Sequence, residues 1–183
     1  MSEDLARKYV AAFTVRSQAA RGQNTSNTAL LNFQKDSSMG KFKQEYTGTA
    51  EAIVSHAIVM PPVDMEDGQL PPLYYFTNNA AWDTGAQFSF ISPRVVEGLG
   101  LKPYGKGAFM GIGGDRESDT YMVHIGLSNG ELITEHEVYC SDIDDYDLLL
   151  GMDIITQTDF LITNKDGKTT FQFRTPSEGG VEL

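Results

Sequence analysis

From Tyr46 onward the chain breaks into short runs of Thr, Val, Ile, Tyr and Phe, each bounded by Gly, Pro, Asn or Asp. β-Branched and aromatic side chains suit the pleated, half-buried surface of a sheet, and the punctuating residues supply its turns. This texture predicts an all-β domain with one or two short helices. Ile53–Met60, Leu73–Thr77 and Phe88–Ile91 read as strands, the first two joined by a loop holding Pro61-Pro62 and Asp67-Gly68. Ser92-Pro93 has the form of a helix entry, with Ser as N-cap and Pro at the first helical position, and Gly98 or Gly100 stops it after about two turns. Gly107–Met110 and Tyr121–Leu127 flank a Gly-rich bend, and Ser128-Asn129-Gly130 is a hairpin turn leading into Glu131–Tyr139. Leu148-Leu149-Leu150-Gly151 is an apolar strand end with a short helix after it from Met152, and Lys165-Asp166-Gly167 closes a last hairpin between Phe160 and Phe173.

Ahead of this domain, residues 1–44 read as an N-terminal extension and residues 45–183 as the domain proper. Leu5, Tyr9 and Phe13 at i, i+4, i+8 spacing predict a short helix over Glu3–Arg21, with Gly22 as its stop. The polar stretch Gln23–Thr28 then reads as a linker, so the extension suits a pro-segment or a docking arm.

The 183 residues are enough for one domain that buries a core without disulfide or metal. A formal charge of −11 argues against nucleic acid and anionic membrane surfaces as partners, since both repel an acidic protein. Cys140 is the single cysteine, so no intrachain disulfide forms, and the first 30 residues lack the apolar stretch of a secretory signal; the expected compartment is the cytoplasm. No run approaches the roughly 18 apolar residues of a membrane span.

Asp83-Thr84-Gly85 follows the apolar strand end Ala80-Ala81-Trp82 and precedes another strand, which places a carboxylate on a tight loop leaving a buried sheet. Two carboxylates sharing one proton can split an amide with water, one taking a proton from the water and the other giving one to the carbonyl oxygen. Like charges about 3 Å apart cannot both ionise, so such a pair titrates as a unit. Gly85 allows close backbone approach to the carboxylate, and the Thr84 hydroxyl can bond across to a facing loop. Asp119-Thr120 is followed by Tyr121, so the chain holds one Asp-Thr-Gly, and a second acid must come from a second copy of the chain.

The order of these parts resembles the retropepsin family of aspartic peptidases. Its pattern of an Asp-Thr-Gly-Ala loop, a Gly-rich flap hairpin and an apolar-apolar-Gly segment opening a helix matches Asp83-Thr84-Gly85-Ala86, Gly111-Ile112-Gly113-Gly114 and Leu149-Leu150-Gly151-Met152-Asp153. The resemblance covers about residues 48 to 174. It implies a retropepsin-like half-barrel working as a homodimer, with Asp83, Thr84 and Gly85 in the catalytic loop. Substrate contacts would come from Ala86, Phe109 and the flap Met110-Gly111-Ile112-Gly113-Gly114. It implies an extended peptide or protein substrate with apolar residues around the scissile bond, and no metal or organic cofactor. Viral members often carry an acid after the Ala and an Arg after the second Gly; here those positions are Gln87 and Met152, a pattern closer to cellular or phage relatives. The rival class is a non-catalytic peptide-binding or dimerisation module on the same fold, and self-processing near residues 20 to 45 is a third use of the same site.

Other motifs have simpler readings. Gly126-Leu127-Ser128-Asn129-Gly130 spells a nucleophile elbow, but the alternating Glu131–Glu135 after it is a strand where that motif needs a helix. His136-Glu137 begins like a zinc helix, yet Cys140 stands where the second His belongs. Asp142, Asp144, Asp145 and Asp147 have Tyr146 at a ligand position of a calcium loop and lack its Gly, so a solvated acidic loop is expected. Gly111-Ile112-Gly113 lacks the third Gly and the βαβ setting of a dinucleotide fingerprint. His56 and His124 read as satisfied or exposed imidazoles, and Cys140 as a small buried thiol.

Overall fold

The computed structural model describes residues 40–63, 73–111 and 114–180. The helix expected over Glu3–Arg21 and its linker lie outside the described residues. Ten strands and two short helices follow in the order β1 (Lys41–Glu45), β2 (Ile53–Met60), β3 (Tyr75–Trp82), β4 (Phe90–Ile91), α1 (Pro93–Leu99), β5 (Gly105–Gly111), β6 (Gly114–Leu127), β7 (Leu132–Cys140), β8 (Leu148–Leu150), α2 (Met152–Ile155), β9 (Asp159–Lys165) and β10 (Lys168–Arg174). The described residues form a β domain with two short helices, as the texture predicts.

Seven strands form the main sheet in the order β2-β3-β8-β4-β7-β6-β5, and β2 also pairs with β6. The sheet therefore curls until six strands make a closed circuit. β6 makes this possible by its length. One edge pairs first with β5, over Gly114–Thr120, and then with β2, over His124–Leu127, while the other edge takes β7. Inside the circuit Ala57, Val59, Val123, Ile125, Val138, Leu148 and Leu150 are fully or almost fully buried.

β1, β10 and β9 form a second, three-stranded antiparallel sheet. β1 straddles the expected boundary at residue 44, and all five of its residues are in register with β10, from Lys41 opposite Arg174 to Glu45 opposite Thr170. The two sheets meet at an aromatic cluster. The Trp82 ring lies 4.7 Å from Phe173, 5.4 Å from Phe171 and 5.7 Å from Phe160 between centroids. Its indole N–H donates to the Ser55 hydroxyl at 3.0 Å, which satisfies the one polar group the ring buries. The C-terminal hairpin thus braces the last residue of β3.

α1 begins at Pro93 and ends in a left-handed Gly100, as the sequence predicts. Ser92 occupies the N-cap position, but its hydroxyl makes no capping bond; its carbonyl accepts from the amides of Val95 and Val96. β3 starts and ends later than expected: it runs through Asn78 and Asn79 at a register shift against β2, between Thr77 opposite Ala57 and Ala80 opposite Ser55, and its last three residues pair with β8. The acidic loop is not wholly solvated. Asp147 is buried, accepts from the Thr77 hydroxyl at 2.7 Å and pairs with Arg94 at 3.2 Å, fixing the end of β8 to β3 and α1.

His56 sits in this core between the rings of Phe42 and Phe76, and burial pushes its pKa down from 6.5 to about 4. An unfolded imidazole takes up its proton near pH 6.5, whereas the folded one resists until about pH 4. The unfolded state therefore binds more protons between these values, and stability present above pH 6.5 falls as the pH drops toward 4. Urea unfolding should show a loss on the order of 3 kcal/mol across that window from this group. His56→Gln should flatten that part of the profile; an unchanged slope would show that the imidazole is not held neutral.

Candidate active site

The chain reaches Asp83 directly from β3. The Asp83 amide donates to the Leu150 carbonyl at 3.0 Å, which extends the parallel β3–β8 pairing by one residue and fixes where the carboxylate leaves the sheet. The loop then tightens on itself. Asp83 Oδ1 accepts the Gly85 amide at 2.8 Å, and the Ala86 amide donates to the Asp83 carbonyl at 3.2 Å. A Cβ at Gly85 would stand 3.2 Å from that same carboxylate oxygen, a closer approach than most side chains tolerate. In the single chain Asp83, Thr84 and Gly85 are exposed and Ala86 is half-buried. An open concavity of about 470 Å³ adjoins Asp83, with Glu51, Trp82, Tyr146, Leu149 and Ile162 among its lining residues.

Past the loop, residues 86–89 are locked to the segment that follows β8. The amides of Met152 and Asp153 donate to the carbonyls of Ala86 and Gln87 at 2.8 and 3.2 Å. Gly151 is needed where these limbs touch, because a Cβ there would lie 2.3 Å from the Phe88 carbonyl oxygen and 3.0 Å from that of Ala86. Its amide donates to the Ser89 hydroxyl at 3.0 Å. Asp153 then gathers both limbs: Oδ2 accepts the Ser89 amide at 2.8 Å and Oδ1 accepts the Ser89 hydroxyl at 2.7 Å. The Ile154 amide donates to Oδ1 at 2.9 Å, and His136 Nε2, facing an acceptor, donates to Oδ2 at 3.0 Å from β7. Burial would raise the Asp153 pKa, but the bonds from His136 and Ser89 outweigh it and hold the carboxyl below its ordinary value.

The flap residues stand on the β5–β6 hairpin, in register as far as Gly111 opposite Gly114. Ile112 and Gly113, at its tip, lie outside the described residues. Met110 is 85% exposed. The hairpin meets the body of the domain through rings. Phe109 packs edge-on against Phe90 at 4.9 Å and Tyr139 at 5.6 Å, and Tyr139 stacks on Phe88 at 4.8 Å. β5 crosses Tyr139 at Gly107, where a Cβ would come within 2.5 Å of the ring.

The bonds of Asp83 thus run to Gly85, Ala86 and Leu150, joining two of the three predicted motifs, while the flap is tied to the strand that follows the loop. Linear reading met Asp153 only at the end of a motif and His136 only in a failed zinc pattern, and missed Ser89 and the meeting of the three from separate parts of the chain. Other readings close simply. Ser128 lies in a hairpin turn and donates to the His56 carbonyl at 2.6 Å. His124 is buried and satisfied, accepting the Glu135 amide at Nδ1, 2.9 Å away. Cys140 is a free, half-buried thiol whose pKa burial pushes up.

Residues 77–154 match the aspartyl protease family model, a span running from β3 through the Asp83 loop and the flap to α2. None of the curated proteins matches the chain. Among solved structures, the chain is similar to the EIAV protease complexed with the inhibitor HBY-793, with 22% identity over 58% of this chain and 86% of that one, at a TM-score of 0.41. It is also similar to the simian foamy virus (mac) protease, with 22% identity over 57% of this chain and 92% of that one, at 0.36. A retropepsin-like aspartic protease from Rickettsia conorii is 13% identical over 69% of this chain and 98% of that one, at 0.37.

The clamp makes a direct prediction. Gly151→Ala should force the Ala86–Ser89 limb away from α2 and cost about 1–3 kcal/mol in urea unfolding. A variant of unchanged stability would mean that the two limbs are not in close contact.

Proposed function

We propose that this protein is an aspartic endopeptidase that acts as a homodimer, with Asp83 from each subunit forming the two-carboxylate site. The observation that carries this reading is the placement of Asp83: a single acid on a rigid turn at the end of a buried strand, its side chain exposed in the isolated chain. One carboxylate cannot both take and give a proton within the same step. A two-fold axis beside this turn turns one acid per chain into a pair through one self-complementary interface.

In that pair the ionised carboxylate takes a proton from a water, which attacks the scissile carbonyl carbon, while the protonated one donates to the carbonyl oxygen. The Thr84 hydroxyls bond across to the facing loops, and Gly85 keeps the backbone close to the acids. Substrate lies extended, with its backbone along the flaps and its side chains against Ala86, Phe109, Met110 and Ile112. The exposed Met110 and the ring surface of Phe109 favour apolar residues near the cut. The register of β1 with β10 supports starting the peptidase domain at Lys41, with the preceding residues as the pro-segment or docking arm.

Incubation with a mixed peptide library between pH 4 and pH 7 should give cleavage that Asp83→Asn abolishes. Specific activity should rise with protein concentration, and an equal mixture with Asp83→Asn should cut activity per wild-type subunit to about half, because mixed dimers hold one acid. Binding without any cleavage would support the peptide-binding module instead. Cleavage that survives Asp83→Asn would exclude this site.

A further inference from the structure

A second carboxylate, Asp153, joins the segment that follows the Asp83 loop to α2. Asp153 accepts four hydrogen bonds, two from Ser89, one from the Ile154 amide and one from His136. Through Ser89 it also orients the hydroxyl that receives the Gly151 amide. Only a carboxylate has acceptor capacity on both oxygens for all of these; a protonated acid turns one oxygen into a donor facing other donors. Protonation would therefore release the joint between residues 86–89 and 151–153, and with it the clamp that sets the Asp83 turn.

We propose that His136 and Asp153 are positioning residues, a pair that keeps the frame of the Asp83 loop locked at acidic pH and so sets the acid limit of activity. This rests on the reading of Asp83 as catalytic. Among the described residues, the side chains facing Asp153 are His136 from β7 and Ser89 from the segment after Asp83, and the charge acting on it is that of His136. Both side chains of the pair are largely shielded, at 16% and 20% exposure, so solvent screens their contact far less than a surface pair. Among the described residues, the His136 side chain bonds to Asp153 and not to Asp83; its effect passes through Asp153, Ser89 and Gly151.

His136→Gln keeps a donor of similar reach but removes the imidazole. Two readouts separate this role from simple structural support. The Asp153 carboxyl carbon, followed by NMR in the intact protein, should titrate at a higher pH in His136→Gln than in wild type. The acid limb of kcat should move upward by the same amount, with KM little changed, while kcat at pH 7 stays near wild type. His56 is present in both proteins and cancels from the comparison. Asp153→Asn, which cannot titrate, should lack that limb and have reduced kcat at every pH. If Asp153 titrates at the same pH in both proteins, or if its titration moves and the acid limb does not, the proposal is overturned. If wild type cleaves nothing, the NMR arm still decides whether His136 controls Asp153, and the failure then belongs to the catalytic reading.

Discussion

The parallel pairing of β3 with β8, carried one residue further by the Asp83 amide and the Leu150 carbonyl, is the constraint on which the rest depends. It ends two buried strands side by side and makes their next residues, Asp83 and Gly151, neighbours. A side chain at Gly151 would drive the limbs apart, since its Cβ would overlap the Phe88 backbone. The position of the carboxylate is therefore set by main-chain atoms, which move less than side chains. Such a frame suits a site whose two acids must meet at hydrogen-bond distance.

Around this joint the fold supplies support from both directions. On one side the C-terminal hairpin stacks Phe160, Phe171 and Phe173 against Trp82, the residue before Asp83. On the other, Phe88 and Phe90, which follow the loop, carry Tyr139 and Phe109 and so connect to the flap hairpin. The loop is held at both ends by aromatic packing, and the second end reaches the hairpin expected to cover substrate. β5 can pass so close over Tyr139 only because Gly107 has no side chain.

Much of this was legible in the sequence because local chemistry and fold agree. The strand run Ile53–Met60, the Ser128-Asn129-Gly130 turn and the Pro93 to Gly100 helix signals each match the structure. The Asp83 turn was legible because its bonds run to residues two and three places on. Where partners are distant, the signal fades. β1 alternates buried Phe42 and Gln44 with exposed charges, but it is five residues long and its partner lies at the other end of the chain, so propensity alone left it in the extension. Asn78 and Asn79 look like a turn, yet they sit inside β3 at a register shift, with paired residues on either side of them. Asp147 looked like one of several solvated acids until Thr77 and Arg94 reached it. Ser89, His136 and Asp153 carry no shared motif, and only the meeting of β7 with α2 makes them one group.

The central claim is that one chain holds half of a site. A crystal structure of the assembled protein tests it through the separation of the two Asp83 carboxylates across the symmetry axis. The account predicts oxygens within direct hydrogen-bonding reach, or bridged by a single water. An assembly in which each Asp83 faces bulk solvent, with no symmetry mate able to approach it, would contradict it.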